Sequence, residues 1–331
     1  MSWTSAVVGL GRIGQGYDYA SEDPDLLMTH ALGFARHPAY QLVGGVDSDA
    51  EARGRFEAKF RAPAFATVAE LYRVIGPEVV SIGVPTPAHA AVFDEVFTAS
   101  GARPPRAILC EKPIALRVRD AEKMVAVARE RRCALLVNYM RRFDPGVREL
   151  RARVHEKAIG DIYKGVLWYS KGLLNNGSHL IDLLRYVLGE VTESEVVRSG
   201  RAWADTDPEP DVRIRFGEAD VYFVAGREES FSICDLQLVG TRGCIQYLRG
   251  GVDIRITGTH DDPSLPGQGY QVLKEKSETV RDELYRYQWH VLEALDRHLK
   301  DGVPLASEGE SALGTLRVVE KIFEERKVKN G

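Results

Sequence analysis

Short, almost wholly apolar runs recur through the first 140 residues: SAVVGL (5–10), QLVGGVD (41–47), VVSIGVP (79–85), AILCEKP (107–113) and ALLVNYM (134–140). Runs of that length and continuity predict parallel strands covered on both faces. Between them polarity recurs with a helical period, most clearly over 88–99 and 118–131. In the second, Val118, Ala121, Val125 and Ala128 fall on one face. Strand and helix in alternation predict a doubly wound α/β domain. After Arg142-Phe143-Asp144-Pro145 the pattern changes. A helix over 145–157 leads to the strand DIYKGVLWYSK, and a helix over 177–188 follows. Then VRIRF, DVYFVA, FSICDLQLV, CIQYLR and VDIRIT alternate without helices between them, which predicts a largely antiparallel sheet. Two helices, over 280–300 and 309–326, close the chain. The expected division is a dinucleotide-binding Rossmann domain over 1–125 and, over 126–331, a second α/β domain with a large, mostly antiparallel open sheet.

Composition narrows the function classes. The chain of 331 residues is 44% hydrophobic and 28% charged, as two soluble globular domains would be. A net charge of −4 offers no general attraction to nucleic acid or an anionic membrane. No apolar run approaches the ~20 residues that span a bilayer. The N-terminus, MSWTSAVVGLGRIG, lacks a basic leader. The four cysteines, Cys110, Cys133, Cys234 and Cys244, have neither metal nor disulfide spacing. The expectation is a cytoplasmic protein with no metal site, no nucleic-acid partner and no membrane contact.

Three stretches carry chemistry. GLGRIG (9–14) follows the first strand directly. Gly9 permits the turn, Gly11 lets a pyrophosphate approach the backbone, and Gly14 lets helix pack on strand. Asp47 ends the second strand, placed to accept from a ribose diol, and its charge repels a 2′-phosphate, so NAD is favoured over NADP. Arg12 and Arg53 soften that preference. Asp47 lies 33 residues after Gly14, beyond the usual ~20. An insertion at 17–28, YDYASEDPDLLM, explains the excess. CEKP (110–113) ends a buried strand, where Lys112 is positioned to donate to a developing alkoxide. In NNGSHLIDLL, His179 opens a helix and is suited to proton transfer near neutral pH. Asn175 stands four residues before it, on the same face of a regular helix. Lys164, Lys171, Arg141 and Arg142 lie on segments that border the expected pocket, and their charge suits either an anionic substrate such as a uronate or nucleotide sugar or a solvated surface. Trp168 and Tyr169 suit either stacking on a sugar or packing the sheet.

The ordered set GLGRIG, GVDSD, VPTPAH, CEKP, NYMRRFDP, GSHLIDLL and SEGESALGTLRVVEKI resembles the Gfo/Idh/MocA oxidoreductases over essentially the whole chain. The resemblance implies hydride transfer between NAD or NADP and a sugar, polyol or related substrate. It implies that Gly9, Gly11, Arg12, Ile13, Gly14, Asp47, Pro85, His89, Glu111 and Lys112 contact the cofactor. Lys112, Tyr139, Arg142, Lys171, Asn175 and His179 would border the substrate, with Lys112 and His179 catalytic. The aspartate that often precedes the family histidine by four is here Asn175. The resemblance further implies a homodimer or homotetramer formed through the open sheet. The rival reading is a non-catalytic NAD-dependent sensor of the same fold.

Overall fold

The computed structural model describes residues 2–204 and 206–330, which pack as two units. The first comprises residues up to Phe143 together with Tyr285–Leu316. Its strands are β1 (Trp3–Val8), β2 (Tyr40–Val46), β3 (Ala64–Phe65), β4 (Val79–Ile82), β5 (Ala107–Cys110) and β6 (Ala134–Val137). All pair in parallel, in the order β3-β2-β1-β4-β5-β6. The sequence reads as it does because both faces are covered: Val79, Val80, Ile82 and all of Ala107–Cys110 are wholly buried. The order reverses on either side of β1, and the carboxyl ends of β1 and β4 meet at that switch, the place where such sheets bind ligands.

Two features of this unit lie outside what periodicity foretells. The helix Tyr287–Asp301, far along the chain, supplies Val291, Leu292 and Leu295 to the same core as Phe34 and Tyr40. The segment 126–143 also belongs here rather than with the second domain. Strand β6 extends the parallel sheet, and its end is clamped by Ser307, whose hydroxyl donates to the Val137 carbonyl at 2.8 Å. Apolar patterning marks a buried face but does not say which core a distant helix joins.

The second unit comprises Asp144–Leu284 and the chain from Arg317 onward. Its strands are β7 (Ile162–Tyr169), β8 (Val191–Trp203), β9 (Asp207–Phe216), β10 (Ala219–Ala225), β11 (Cys234–Gly240), β12 (Gly243–Leu248), β13 (Asp253–Asp261), β14 (Gln271–Leu273) and β15 (Glu278–Val280). Among the described residues they form a nine-stranded sheet in the order β14-β13-β12-β11-β7-β10-β9-β8, with β15 on β13. Every pair is antiparallel except β7 with β10. One face packs Leu167, Ile214, Phe223 and Leu238 against the helices Pro145–His155 and Ser178–Leu188 and against Val319 and Ile322. No helix of the described residues is long and apolar enough to cross a membrane.

Candidate active site

β1 leads through Gly9, at φ +95°, into a wide helical turn, Arg12–Gly16. A Cβ on Gly9 would stand 2.6 Å from the Val84 nitrogen, and one on Gly14 would stand 1.9 Å from the Gly9 carbonyl oxygen. Neither position admits a side chain. Gly11 differs: nothing lies within 4 Å of its Cβ position. Two glycines fold the loop against the end of β4, and the third leaves its backbone bare, which is what a pyrophosphate needs. The residues present therefore fit a dinucleotide. Arg12 is exposed and Ile13 half-buried.

Asp47 follows β2. One carboxylate oxygen accepts the Leu10 N–H at 2.8 Å and the other the Asp49 N–H at 2.9 Å. Its charge is thereby fixed against the glycine loop. Arg53 donates to the carbonyls of Asp47 and Ser48, at 2.8 and 2.9 Å, so its guanidinium is engaged at this strand end.

The segment 17–28, expected to be an insertion, is closed by its own ends. Asp18, wholly buried, accepts from the N–H groups of Met28 and Thr29, at 2.8 and 2.9 Å, and from the Thr29 hydroxyl at 2.6 Å. Thr29 then caps the helix His30–Arg36. The loop thus delivers His30, also wholly buried, at the first helical position.

Pro85 is exposed at the end of β4, whereas His89 is buried, with each ring nitrogen 2.9 Å from a carbonyl oxygen, of Val84 and of Pro113. Burial lowers its basicity more than those carbonyls and Glu111 raise it. The neutral ring has one N–H to donate, to the carbonyl of Val84 or of Pro113, so the side chain sits between the β4 and β5 end loops.

Glu111 and Lys112 leave β5, and the Lys112-Pro113 peptide is cis. One oxygen of Glu111 lies 2.6 Å from the Asn138 amide nitrogen and 3.0 Å from His30 Nε2. Gln288 completes a ring: its amide nitrogen is 3.0 Å from His30 Nδ1, and its oxygen is 3.4 Å from the Asn138 nitrogen. Burial alone would raise the Glu111 pKa. The hydrogen bond from His30 and the charge that ring carries when protonated, with the Asn138 hydrogen bond and the charge of Lys112, overcome that and hold it below the ordinary glutamate value. Tyr139 is buried, and Arg142, also buried, donates to the Ala306 carbonyl at 2.9 Å.

In the second unit, β7 exits through Lys171 and Gly172, at φ +66° and +80°, into a wide turn, Gly172–Gly177, that runs into the helix Ser178–Leu188. Two buried acids of β9 catch that turn. Glu209 accepts the Gly172 N–H at 3.1 Å, and Asp207 accepts those of Leu174 and Asn175 at 2.9 and 2.8 Å. His179, half-buried, stands in the first turn of the helix. Asn175 lies in the wide turn, so the pair does not share the regular four-residue ladder expected of it. The carboxylate that Asn175 does not bring to this turn comes instead from β9.

Three of the four cations expected to border an anionic substrate have polar partners, and the fourth, Arg141, has its guanidinium 3.8 Å from the Met140 sulfur. Lys171 is 3.0 Å from Glu228, Lys164 is 3.5 Å from Asp220, and Arg142 is on Ala306. From sequence His30 reads only as a surface or satisfied core histidine, and nothing singles out Asn138, Gln288, Asp207 or Glu209. No periodicity marks them, since their partners lie far away along the chain. Only the Thr29 cap hinted that a helix begins at His30.

Residues 4–139 match the model of an oxidoreductase family described as having an NAD-binding Rossmann fold. The chain is 25% identical over 316 residues to trans-1,2-dihydrobenzene-1,2-diol dehydrogenase of Sus scrofa, covering 86% of this chain and 89% of that one. It is 26% identical over 239 residues to inositol 2-dehydrogenase of Rubrobacter xylanophilus, covering 64% and 65%. Its fold is that of UDP-N-acetylglucosamine 3-dehydrogenase from Acidithiobacillus ferrooxidans, at a TM-score of 0.75 and 17% identity over 98% of each chain. A glycine loop open at Gly11, on a parallel sheet of Rossmann order and with dehydrogenases among its relatives, defines an NAD-binding oxidoreductase. Over residues 4–139 the chain matches the NAD-binding domain of the Gfo/Idh/MocA oxidoreductases, and it is an enzyme of the dehydrogenase class.

Proposed function

We propose that this enzyme is an NAD-dependent dehydrogenase of a neutral polyol, sugar or cyclic vicinal diol, oxidising a secondary alcohol or reducing the corresponding ketone. The observation that carries the reading is the fixed placement of Lys112. It leaves β5 at the carboxyl edge of the Rossmann sheet, directly after a glutamate held by buried partners. A lysine so placed suits the oxygen of a reacting alcohol. The bound nicotinamide supplies the hydride acceptor or donor. Gly9, Gly11, Arg12, Ile13 and Gly14 bind its phosphates, and Asp47 the adenosine ribose. Lys112 donates a hydrogen bond to the substrate oxygen and stabilises the charge that develops on it. His179 accepts the hydroxyl proton in oxidation and returns it in reduction; such a positioned group contributes ~10²–10⁴-fold.

Neutral substrates are favoured because Lys171, Lys164 and Arg142 are already engaged within the protein. The names of two relatives, a dihydrobenzene-diol dehydrogenase and an inositol dehydrogenase, denote six-membered rings with adjacent hydroxyls, which supports the same class. The test is an absorbance assay for reduced cofactor, with NAD or NADP, against trans-cyclohexane-1,2-diol, myo-inositol, glucose and glucuronate. Turnover of a neutral ring alcohol is expected, lost in both Lys112→Ala and His179→Ala while each protein stays folded. Turnover confined to glucuronate, or unchanged in those variants, would overturn the assignment.

A further inference from the structure

The ring of four side chains around Glu111 has one consistent polarity. An ionised Glu111 can only accept, so Asn138 must turn its amide nitrogen toward the carboxylate at 2.6 Å. That same nitrogen faces Gln288, which must therefore present its oxygen there. Gln288 then presents its nitrogen to His30 Nδ1, which must be an acceptor. The proton of the imidazole is left on Nε2, 3.0 Å from Glu111, where a donor is required. Four separate segments meet in this ring: the helix His30–Arg36, the end of β5, the residue after β6, and the helix Tyr287–Asp301. His30 and Gln288 are wholly buried and Asn138 is 3% exposed. Removing one member of such a buried network leaves the Glu111 charge short of a donor.

We propose that His30 is a positioning residue of this dehydrogenase: as the neutral Nε2–H tautomer it holds the Glu111 carboxylate in place, and so fixes the position and charged environment of Lys112. The closure of the segment 17–28 by Asp18 and Thr29 is what sets His30 at its helical position. The inference rests on the proposed role of Lys112 for its kinetic consequence, but not for its structural one. Besides His30 and Lys112, the ionisable groups that sense Glu111 are Cys110, His89 and Tyr287. All three are buried and contribute no cation to replace a lost donor.

Three measurements on the full-length protein test this. In ¹⁵N-histidine spectra at neutral pH, the signal lost in His30→Gln should be that of a neutral ring protonated at Nε2; a ring protonated at Nδ1 overturns the proposal. Acetic anhydride labelling, read by peptide mass spectrometry with Lys164 and Lys171 as references, should find Lys112 several-fold more reactive in His30→Leu. It should be near its original reactivity in His30→Gln, whose amide both accepts from Gln288 and donates to Glu111. Equal Lys112 reactivity in all three proteins overturns the proposal. With a substrate from the assay above, His30→Leu should lower kcat by about 10- to 100-fold, as a small displacement of a reacting group does. NAD affinity, read by fluorescence of the reduced form, should change little. A fall in affinity with kcat intact would overturn the positioning role. Should His30→Leu fail to fold, Gln288→Leu removes the group that sets the tautomer and carries the same expectations. If Lys112→Ala leaves turnover intact, the functional reading fails, while the labelling contrast still decides the role of His30.

Discussion

Asp47 carries two duties that pull in one direction. Its oxygens accept from Leu10 and Asp49, so the carboxylate is an anchor of the glycine loop as well as a negative charge at the ribose end of the proposed cofactor site. A 2′-phosphate brought to that charge meets repulsion, which Arg53, engaged by the carbonyls of Asp47 and Ser48, offsets only in part. NAD is therefore expected to bind more tightly than NADP. Asp47→Ala should weaken NAD and narrow the gap, by about 1–3 kcal/mol for loss of hydrogen bonds to a charged group. Titration of both cofactors at one ionic strength checks this; an original protein that prefers NADP refutes the assignment. Much at this scale was legible in advance. The three glycines, Asp47, Lys112 and His179 each stand at a strand end or helix start that local pattern reveals. His30, Glu209 and Asp207 were not legible, because a buried polar residue is defined by its partner. His30 meets a residue 81 positions away and Asp207 one 32 positions away.

Among the elements, the wide turn Gly172–Gly177 shows how a functional segment is held by its neighbours. Gly172 sits at φ +80°, and a Cβ there would lie 2.1 Å from an Asp207 carboxylate oxygen. Gly172→Ala must therefore strain the backbone and displace the acid that holds Leu174 and Asn175. It should cost roughly 1–3 kcal/mol in urea unfolding, and turnover should fall in the variant molecules that remain folded. Unchanged stability would mean the turn is free to move. The outer face of β8, β9 and β10 carries a different device. Asp220 is hydrogen-bonded by Arg215 and Arg213, which hold its pKa at about 2, against the opposing effect of burial. A depressed carboxylate stabilises the fold above its ordinary value of 3.8, and that contribution is lost as pH falls toward about 2. Asp220→Asn should thus be less stable than the original protein near neutral pH, with the difference closing in that acid window. Melts at several pH values would show it, and a gap that persists at the acid end would contradict it. Strand β8 itself escaped the sequence reading. Its run, VTESEVVRSGRAW, pairs only with β9 at the edge of the sheet and has few apolar positions to alternate.

On the scale of the whole molecule, the question is what covers the second sheet. Its inner face is filled by helices, and Leu167 and Tyr169 of β7 are wholly buried there. On the opposite face of the same central strand, Val166 and Trp168 remain 41% and 43% exposed. A central strand, unlike an edge, has no need of exposed aromatic side chains for its own pairing. An apolar stripe in mid-sheet is the pattern of a surface that associates. Around it lie charges already paired within the chain, such as Lys164 with Asp220, which suits a polar rim more than an open charged face. The expected state is a homodimer or homotetramer joined through this face. A C₂ arrangement would bring like residues close together, so a charge placed on the stripe would meet its own copy. Trp168→Glu should therefore shift the mass measured by light scattering toward the monomer, while circular dichroism stays unchanged because the side chain points away from the core. A mass equal to the original, at matched concentration and with the fold intact, would place the assembly surface elsewhere.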